Sequence, residues 1–425
     1  MKNFENVSSR RKFMTMGAST AAVLLGGAAL SNTAKAGNKN EGILANGTNI
    51  IHNSVKEMSA DKNLKSGDTV STLGYHQVGD DGDNVYVVVT HSSLAVDGGS
   101  LLKLNNGLHA QALFPSGIIR VEQFGAIGVE ENVQSGSIDN TKAMASAHNT
   151  GKVITYGAKR YQFSTLSIAA GGIVGQGSNT ILSSTDSSTK DVISYLANED
   201  SAAIFKNFTL ALNTPNQKSV GAGISLTDNS NHNELTNDIE NVTINDMPTA
   251  IKFYSSATKI VNNKIHGGSV GIELLLSSNQ PLAYITGNRF EQQTANAISI
   301  TSQNALSNNN QDDFSQVLIS QNQINANKTA GSAINIAPTH SSLEDLSINN
   351  NLIRFQGKEQ ALAAISISNA THFMVNNNTI NCQKGAGHRG LYISENCNSG
   401  ILSANHVILP LNGHTLNLSA TTTVV

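Results

Sequence analysis

Seven ionisable side chains crowd into one stretch of this chain: Asp246, Lys252, Lys264, His266, Glu273, Arg289 and Glu291. Only 13% of the residues are Asp, Glu, Lys or Arg, so that local density is informative. A second acidic group, Asp312 and Asp313, follows in a polar segment. Carboxylates in pairs can divide the work of general acid and general base. Glu273, Glu291, Asp312 and Asp313 are therefore the candidate catalytic residues. Lys252, Lys264, His266 and Arg289 would hold an anionic ligand beside them. The competing reading is a solvated face, with pairs such as Lys252 and Glu273 contributing little to stability. Other chemistries lack their residues. Cys382 and Cys397 have no zinc-ligand spacing, and Gly171 to Gly177 lacks the strand-then-helix context of a nucleotide loop. Asp246 or the aspartate pair could ligate Ca2+, but no recognisable loop motif surrounds them. No Ser, His and Asp arrangement can be defended as a triad.

The elements that must position these groups recur along the chain. A small residue followed by apolar-x-apolar occurs at Gly223-Ile224-Ser225-Leu226, Ala250-Ile251-Lys252-Phe253, Gly271-Ile272-Glu273-Leu274 and Ala297-Ile298-Ser299-Ile300. It returns at Ala333 to Ile336, Ala364 to Ile367, Gly390 to Ile393 and Thr415 to Leu418, at intervals of 27, 21, 26, 36, 31, 26 and 25 residues. A second series interleaves with it: Asn263, Asn288, Asn322, Asn351, Asn378 and Asn405, each with an apolar residue three positions earlier. Short alternating strands with a period in the mid-twenties specify a solenoid of strands. A leucine-rich repeat would need Leu at fixed offsets, which is missing. The fold class expected is all-β, a right-handed single-stranded parallel β-helix. Coils stack about 4.8 Å apart, so equivalent residues form columns and the Asn residues can form an amide ladder. One outward column reads Ser225, Lys252, Glu273, Ser299, Asn335, Ser366, Tyr392, Asn417. Another reads Lys264, Arg289, Gln323, Leu352, Thr379, His406. The longest interval carries an insertion, Ser302 to Phe314, that includes the aspartate pair.

The formal charge is −3, and residues 1–36 set five basic residues against Glu5, so the remainder is more acidic still. That balance excludes the electrostatic footprint of a nucleic-acid binder. Ser9-Arg10-Arg11-Lys12-Phe13-Met14, the apolar run Ala21–Leu30 and Ala34-Lys35-Ala36 resemble a bacterial twin-arginine signal peptide. The expectation is export through the twin-arginine translocase to a periplasmic or secreted location, with no stable membrane span, because the run is shorter than the roughly 20 residues a span needs. Residues 37–66 read as a linker, 67–120 as a small N-terminal β module and 121–425 as the β-helix. Cys382 and Cys397 fall within one coil. They are either bridged in an oxidising compartment or, the favoured reading, two small apolar residues stacked inside.

Phe124-Gly125-Ala126-Ile127-Gly128, then Asp139-Asn140-Thr141-Lys142-Ala143-Met144, then Gly151-Lys152-Val153-Ile154 and Tyr161-Gln162-Phe163 resemble the opening segment of the pectate-lyase-like right-handed parallel β-helix superfamily, which includes phage tailspikes and polysaccharide depolymerases. Asp139 or Asn140 would cap a short helix that plugs the solenoid, with Ala143, Met144 and Ala147 on one face. Upstream, Gly67-Asp68-Thr69-Val70 through Asp83 and the strand Val85–Val89 are similar to the β module that precedes the solenoid in tailspike-like proteins. The acidic loop after Gly128 and the usual Pro-Gly turn of the family are absent, replaced by Val129–Ile138 and Tyr156-Gly157-Ala158-Lys159.

The resemblance implies a carbohydrate polymer as ligand, often acidic among relatives and bound along an outer face. It implies a glycoside hydrolase or polysaccharide lyase. A non-catalytic exopolysaccharide-handling or adhesion protein, or an epimerase or transferase on the same fold, stays open. Hydrolysis needs two carboxylates about 5 to 9.5 Å apart, a spacing that adjacent or alternate coils supply. The acidic pair of polygalacturonases is not reproduced, because Ile265-His266-Gly267-Gly268 precedes Asp312-Asp313 instead of following it. No cofactor is expected, and Ca2+ would enter only in a lyase reaction. Trimers are frequent among tailspike-like relatives, so a homotrimer is one arrangement the resemblance implies. The chain has no Trp, and Tyr254, Tyr284 and Tyr392 are among the few rings in the coils to stack on a sugar, which weakens a tight-binding lectin.

Overall fold

The computed structural model describes residues 49–424 apart from 131–137, 187–189, 198–200, 214–220, 229–235, 255–256, 277–281, 303–315, 327–329, 340–341, 356–362, 383–388, 410–413 and 418–421. The leader, Asp312 and Asp313 lie outside the described residues. The described residues open with a five-stranded sheet. Asn49–His52 pairs parallel to Thr69–Thr72, and Asn84–Val89, His109–Ala112 and Leu101–Lys103 follow antiparallel. Met58, Val70, Tyr86, Val88 and Ala110 form its core. The strand Asn49–His52 and helix α1 (Val55–Ala60) fall within 37–66, the stretch read as a linker. Four residues of strand and six of helix are too short to impose a visible period on a polar composition.

Among the described residues, three parallel sheets of 12, 10 and 10 strands run side by side from residue 119 onward. Each coil visits them in turn. Thr258–Val261 lies in sheet 1, Lys264–His266 in sheet 2 and Val270–Leu276 in sheet 3, and Leu282–Thr286 starts the next coil on sheet 1. This is a parallel β-helix, and the sequence repeat falls into register. Ile224, Ile251, Ile272, Ile298, Ile334, Ile365 and Leu391 stack rung on rung in sheet 3. All are at most 1% exposed, and each such side chain contributes about 1.5–3 kcal/mol of burial.

Sheets 1 and 2 meet at a sharp bend whose first residue adopts a left-handed conformation: Asn262, Gly287, Gln321, Asn350, Asn377 and Ala404 all have φ between 50° and 69°. Asn and Gly tolerate that region best. The next residue is the ladder Asn, and it serves two coils at once. Asn288 Oδ1 accepts from the backbone N–H and the Nδ2 of Asn263, at 2.9 and 3.0 Å. Asn288 Nδ2 donates to Ile260 O at 2.8 Å and to Asn322 Oδ1 at 3.1 Å. The pattern repeats through Asn322, Asn351, Asn378 and Asn405. The apolar residue three positions before each Asn supplies the carbonyl that the next Asn amide needs. Below Asn263 the ladder position is apolar, and Phe208 and Val242 fill it.

The open end is plugged by helix α2 (Thr141–His148), which buries Met144, Ala147 and His148. Asn140 does not cap the helix. Its Oδ1 accepts from Ile127 N at 2.7 Å, and Asp139 Oδ1 accepts from Thr141 N at 2.9 Å. Beneath the helix, His148 Nε2 lies 2.9 Å from the Tyr156 hydroxyl, and the Tyr161 hydroxyl donates to Glu122. Burial pulls the His148 pKa down to about 3, against an ordinary 6.5. A depressed folded-state value means that stability is complete above pH 6.5 and is lost as pH falls toward 3, at on the order of 1 kcal/mol per pH unit. Burial pushes Glu122 the other way, above the ordinary carboxylate range, so its contribution is complete below that range and fades as pH rises through the raised value. We expect the melting temperature to fall between pH 6.5 and 4, and a His148→Gln variant to lose most of that slope. An unchanged slope in the variant would remove His148 from the account.

Both cysteines are buried thiols, small apolar residues inside the coil. Burial raises the Cys382 thiol to about 11. Neither thiol should react with a disulfide reagent at pH 8 until the solenoid is unfolded, and rapid native-state labelling would contradict that packing.

Candidate functional site

The seven-residue ionic cluster does not form one patch. The coil divides it between two faces. Lys252 and Glu273 stand in register on sheet 3, as the outward column predicts, but no ion pair within 4.0 Å joins them. Lys252 Nζ instead sits 5.4 Å from the centre of the Tyr254 ring. Burial draws the Lys252 pKa down, but Tyr254, Glu273 and Asp191 outweigh it, and the net direction is upward. Lys252 is therefore a fixed cation and not a base.

Sheet 2 carries the rest. The column Lys264, Arg289, Gln323, Leu352, Thr379, His406 is in register throughout. Two residues along each strand runs a second outward column, Asn245, His266, Glu291, Asn325, Arg354, Asn381. Strand pleating explains both, since Ile265, Phe290, Ile324 and Ile353 between them point inward and are at most 2% exposed. Arg289 holds Glu291 with two contacts, Nε to Oε1 at 2.7 Å and Nη2 to Oε1 at 2.5 Å. That charge-assisted pairing orients the Glu291 carboxylate. One coil below, His266 Nδ1 lies 3.8 Å from Asp246 Oδ1. Asp246 adopts φ 56° at the end of its strand, which turns its carboxylate toward the next coil. A depression of about 110 Å³ opens above this group, with Arg289, Glu291, Gln323, Asn325, Leu352 and Arg354 around it and Phe290 and Ile324 as its floor.

Of the eight sequence-selected residues, Lys264, His266, Arg289 and Glu291 come together on sheet 2. Lys252 and Glu273 belong to a different face, because a turn separates the strands that carry them. Sequence reasoning did not select Asn325 and Arg354, although extending the second outward position from His266 and Glu291 by one and two coils reaches them. It also passed over sheet 1, where Lys206 Nζ bridges Asp238 at 2.6 Å and Glu240 at 2.9 Å. The Asp238 hydrogen bond leads in raising the Lys206 pKa, so this triad is a closed ionic unit. No group of three metal-ligating side chains occurs among the described residues.

The face can hold an extended anionic ligand by cations and amides and present a carboxylate to it. No family model matches the sequence, and no curated protein matches it. Solved structures do match. The tailspike protein 2 of Escherichia coli O157:H7 bacteriophage CAB120 superposes with a TM-score of 0.56 at 12% identity, over 88% of this chain and 50% of that one. WceF of Pantoea stewartii, described as a glycan biofilm modifying enzyme with a tailspike-like parallel β-helix fold, gives 0.51 at 12% identity, over 88% and 51%. An Acinetobacter phage tailspike gives 0.51 at 10%, over 88% and 74%. The chain thus spans about half the length of the first two. At these identities the likeness establishes the fold, a tailspike-like parallel β-helix. Among the described residues no helix is long and apolar enough to cross a membrane.

Proposed function

We propose that this chain is an exported polysaccharide-active enzyme that lays an acidic glycan along sheet 2 and hydrolyses it there. One observation carries the reading: the depression on sheet 2 brings Arg354 from two coils above to the same opening as Arg289 and Glu291, so that two cations and a carboxylate line it. Glu291, oriented by Arg289, would act as base toward water. Asp246 would act as the acid, with His266 between them. Asn245, which precedes Asp246, lies two coils from Glu291, roughly 10 Å at the backbone, and Asp246 leans toward the middle coil. Side chains converging from that separation fit the spacing of about 6.5–9.5 Å that leaves room for an attacking water. The tailspike-like fold of the solved structures and the twin-arginine-like leader support the polysaccharide and export parts of the proposal.

The experiment is incubation of the purified protein with a panel of acidic polysaccharides. New reducing ends without ultraviolet absorbance support hydrolysis. Absorbance of an unsaturated uronate would replace it with elimination, the base then being one of the cationic residues. The two-contact hold of Arg289 on Glu291 Oε1 favours a second reading, a glycan-binding protein without turnover, and binding with neither product would select it.

A further inference from the structure

Resting on the reading of Asp246 and Glu291 as acid and base, we infer that Gln293 is the positioning residue of the site, a buried amide that ties together the strand ends carrying His266 and Glu291 and holds the seat of Asp246. Gln293 is 1% exposed. Its Nε2 donates to Ile265 O at 3.1 Å, to Gly267 O at 3.2 Å and to Glu291 O at 3.0 Å. The first two carbonyls bracket His266, and the third belongs to Glu291 itself. Three facing carbonyls also fix the orientation of the amide, since the flipped group would turn Oε1 on them. Gly267 closes the same corner. Its N–H donates to Glu291 O at 2.8 Å, and His266 O accepts from Asp246 N at 2.8 Å. Gly267 has φ 72°, and a Cβ there would lie 2.0 Å from Asp246 Oδ1. The bare backbone of Gly267 is thus the seat of the Asp246 carboxylate, and Gln293 holds that residue by its carbonyl.

Packing alone does not ask for glutamine here. Asn245, His266 and Glu291 are in register, so two residues further on the corner reads Met247, Gly268, Gln293. Met247 is also 1% exposed, so an unbranched apolar side chain fills this corner two coils below. Gln293 Oε1 is buried and has no hydrogen-bond partner among the described residues. An orphaned acceptor is a cost that methionine would not carry. What glutamine adds is its donor group, and all three acceptors belong to His266's neighbours or to Glu291. A reacting group misplaced by about 1 Å can lose rate by about 10²-fold, so a rigid corner matters more to chemistry than to folding.

The test is Gln293→Met, the side chain found at this corner in Met247. The first readout needs no substrate. In wild type the Arg289 Nε–H, donated to Glu291 Oε1 at 2.7 Å, should give a proton resonance protected from exchange. Gln293→Met should speed that exchange about tenfold, while circular dichroism and the denaturant midpoint stay at wild-type values. The second readout is hydrolysis of a polysaccharide from the acidic panel that the wild type cleaves. There kcat should fall about tenfold and KM should move less than twofold. Gln293→Leu, which also lacks the donors, should repeat both results. An unchanged kcat and an unchanged Arg289 resonance, whatever the midpoint does, make Gln293 a packing residue and overturn the inference, and the hydrolysis reading stands. If the wild type cleaves no polysaccharide, the hydrolysis reading falls and the Arg289 resonance alone decides. Faster exchange in the variant upholds Gln293 as the clamp on Glu291, and unchanged exchange overturns it.

Discussion

Asn288→Ala should cost the solenoid about 3 kcal/mol or more, the largest stability loss expected from any single truncation outside the apolar stacks. Asn288 is fully buried. Its removal leaves the backbone N–H and Nδ2 of Asn263 without their acceptor and Ile260 O without its donor. It also removes one of the two donors to Asn322 Oδ1, the Asn288 backbone N–H keeping the other. Each buried group left unmade costs about 1–3 kcal/mol, and several are orphaned at once. Part of that loss is recovered if water enters the gap. Lys259→Ala, on an exposed outward position of sheet 1, is the control and should change stability by less than about 0.5 kcal/mol. Denaturant midpoints for the two variants check the claim. A loss under 1 kcal/mol for Asn288→Ala would mean that the ladder is decoration on a fold held by its aliphatic columns alone.

The largest effect on activity should come from Glu291→Gln, with a loss of cleavage of about 10² or more, the usual scale for a general base. The variant keeps the volume of the side chain, and the neutral amide cannot take a proton from water. Asp246→Asn should fall comparably. Glu273→Gln should stay within about twofold of wild type, because Glu273 stands on sheet 3, across a turn from the depression. Rates of reducing-end release on whichever acidic polysaccharide proves to be a substrate decide this. Equal loss in Glu273→Gln and full activity in Glu291→Gln would move the chemistry to sheet 3.

The spacing of small residues, alternating aliphatics and recurring Asn was enough to set the fold. Each coil repeats the same physical problem of filling a stack and turning a bend. The pairing of Ser225 with Lys252 and then Glu273, and of Lys264 with Arg289, follows directly from those triplets. The left-handed residue before each ladder Asn was not legible, because Asn, Gly, Gln and Ala all occupy it and only the backbone reveals the common requirement. The site was half legible. Charge density along the chain picks out coils that line the candidate site, but linear density is blind to which face a strand presents, so it groups Lys252 and Glu273 of sheet 3 with the residues of sheet 2. Arg354 was missed for the opposite reason: it is an isolated charge in sequence, and only stacking places it beside Arg289 and Glu291. The strand Asn49–His52 was not legible, because a four-residue strand at the edge of a small sheet carries no period of its own.

The central claim is that sheet 2 is the face that receives the glycan. A crystal structure of Glu291→Gln with an acidic oligosaccharide tests it most directly. Sugar density running along the solenoid axis over Lys264, Arg289, Asn325 and Arg354 is the predicted result. Density over Lys252 and Glu273, or along the Lys206, Asp238 and Glu240 face, would contradict it.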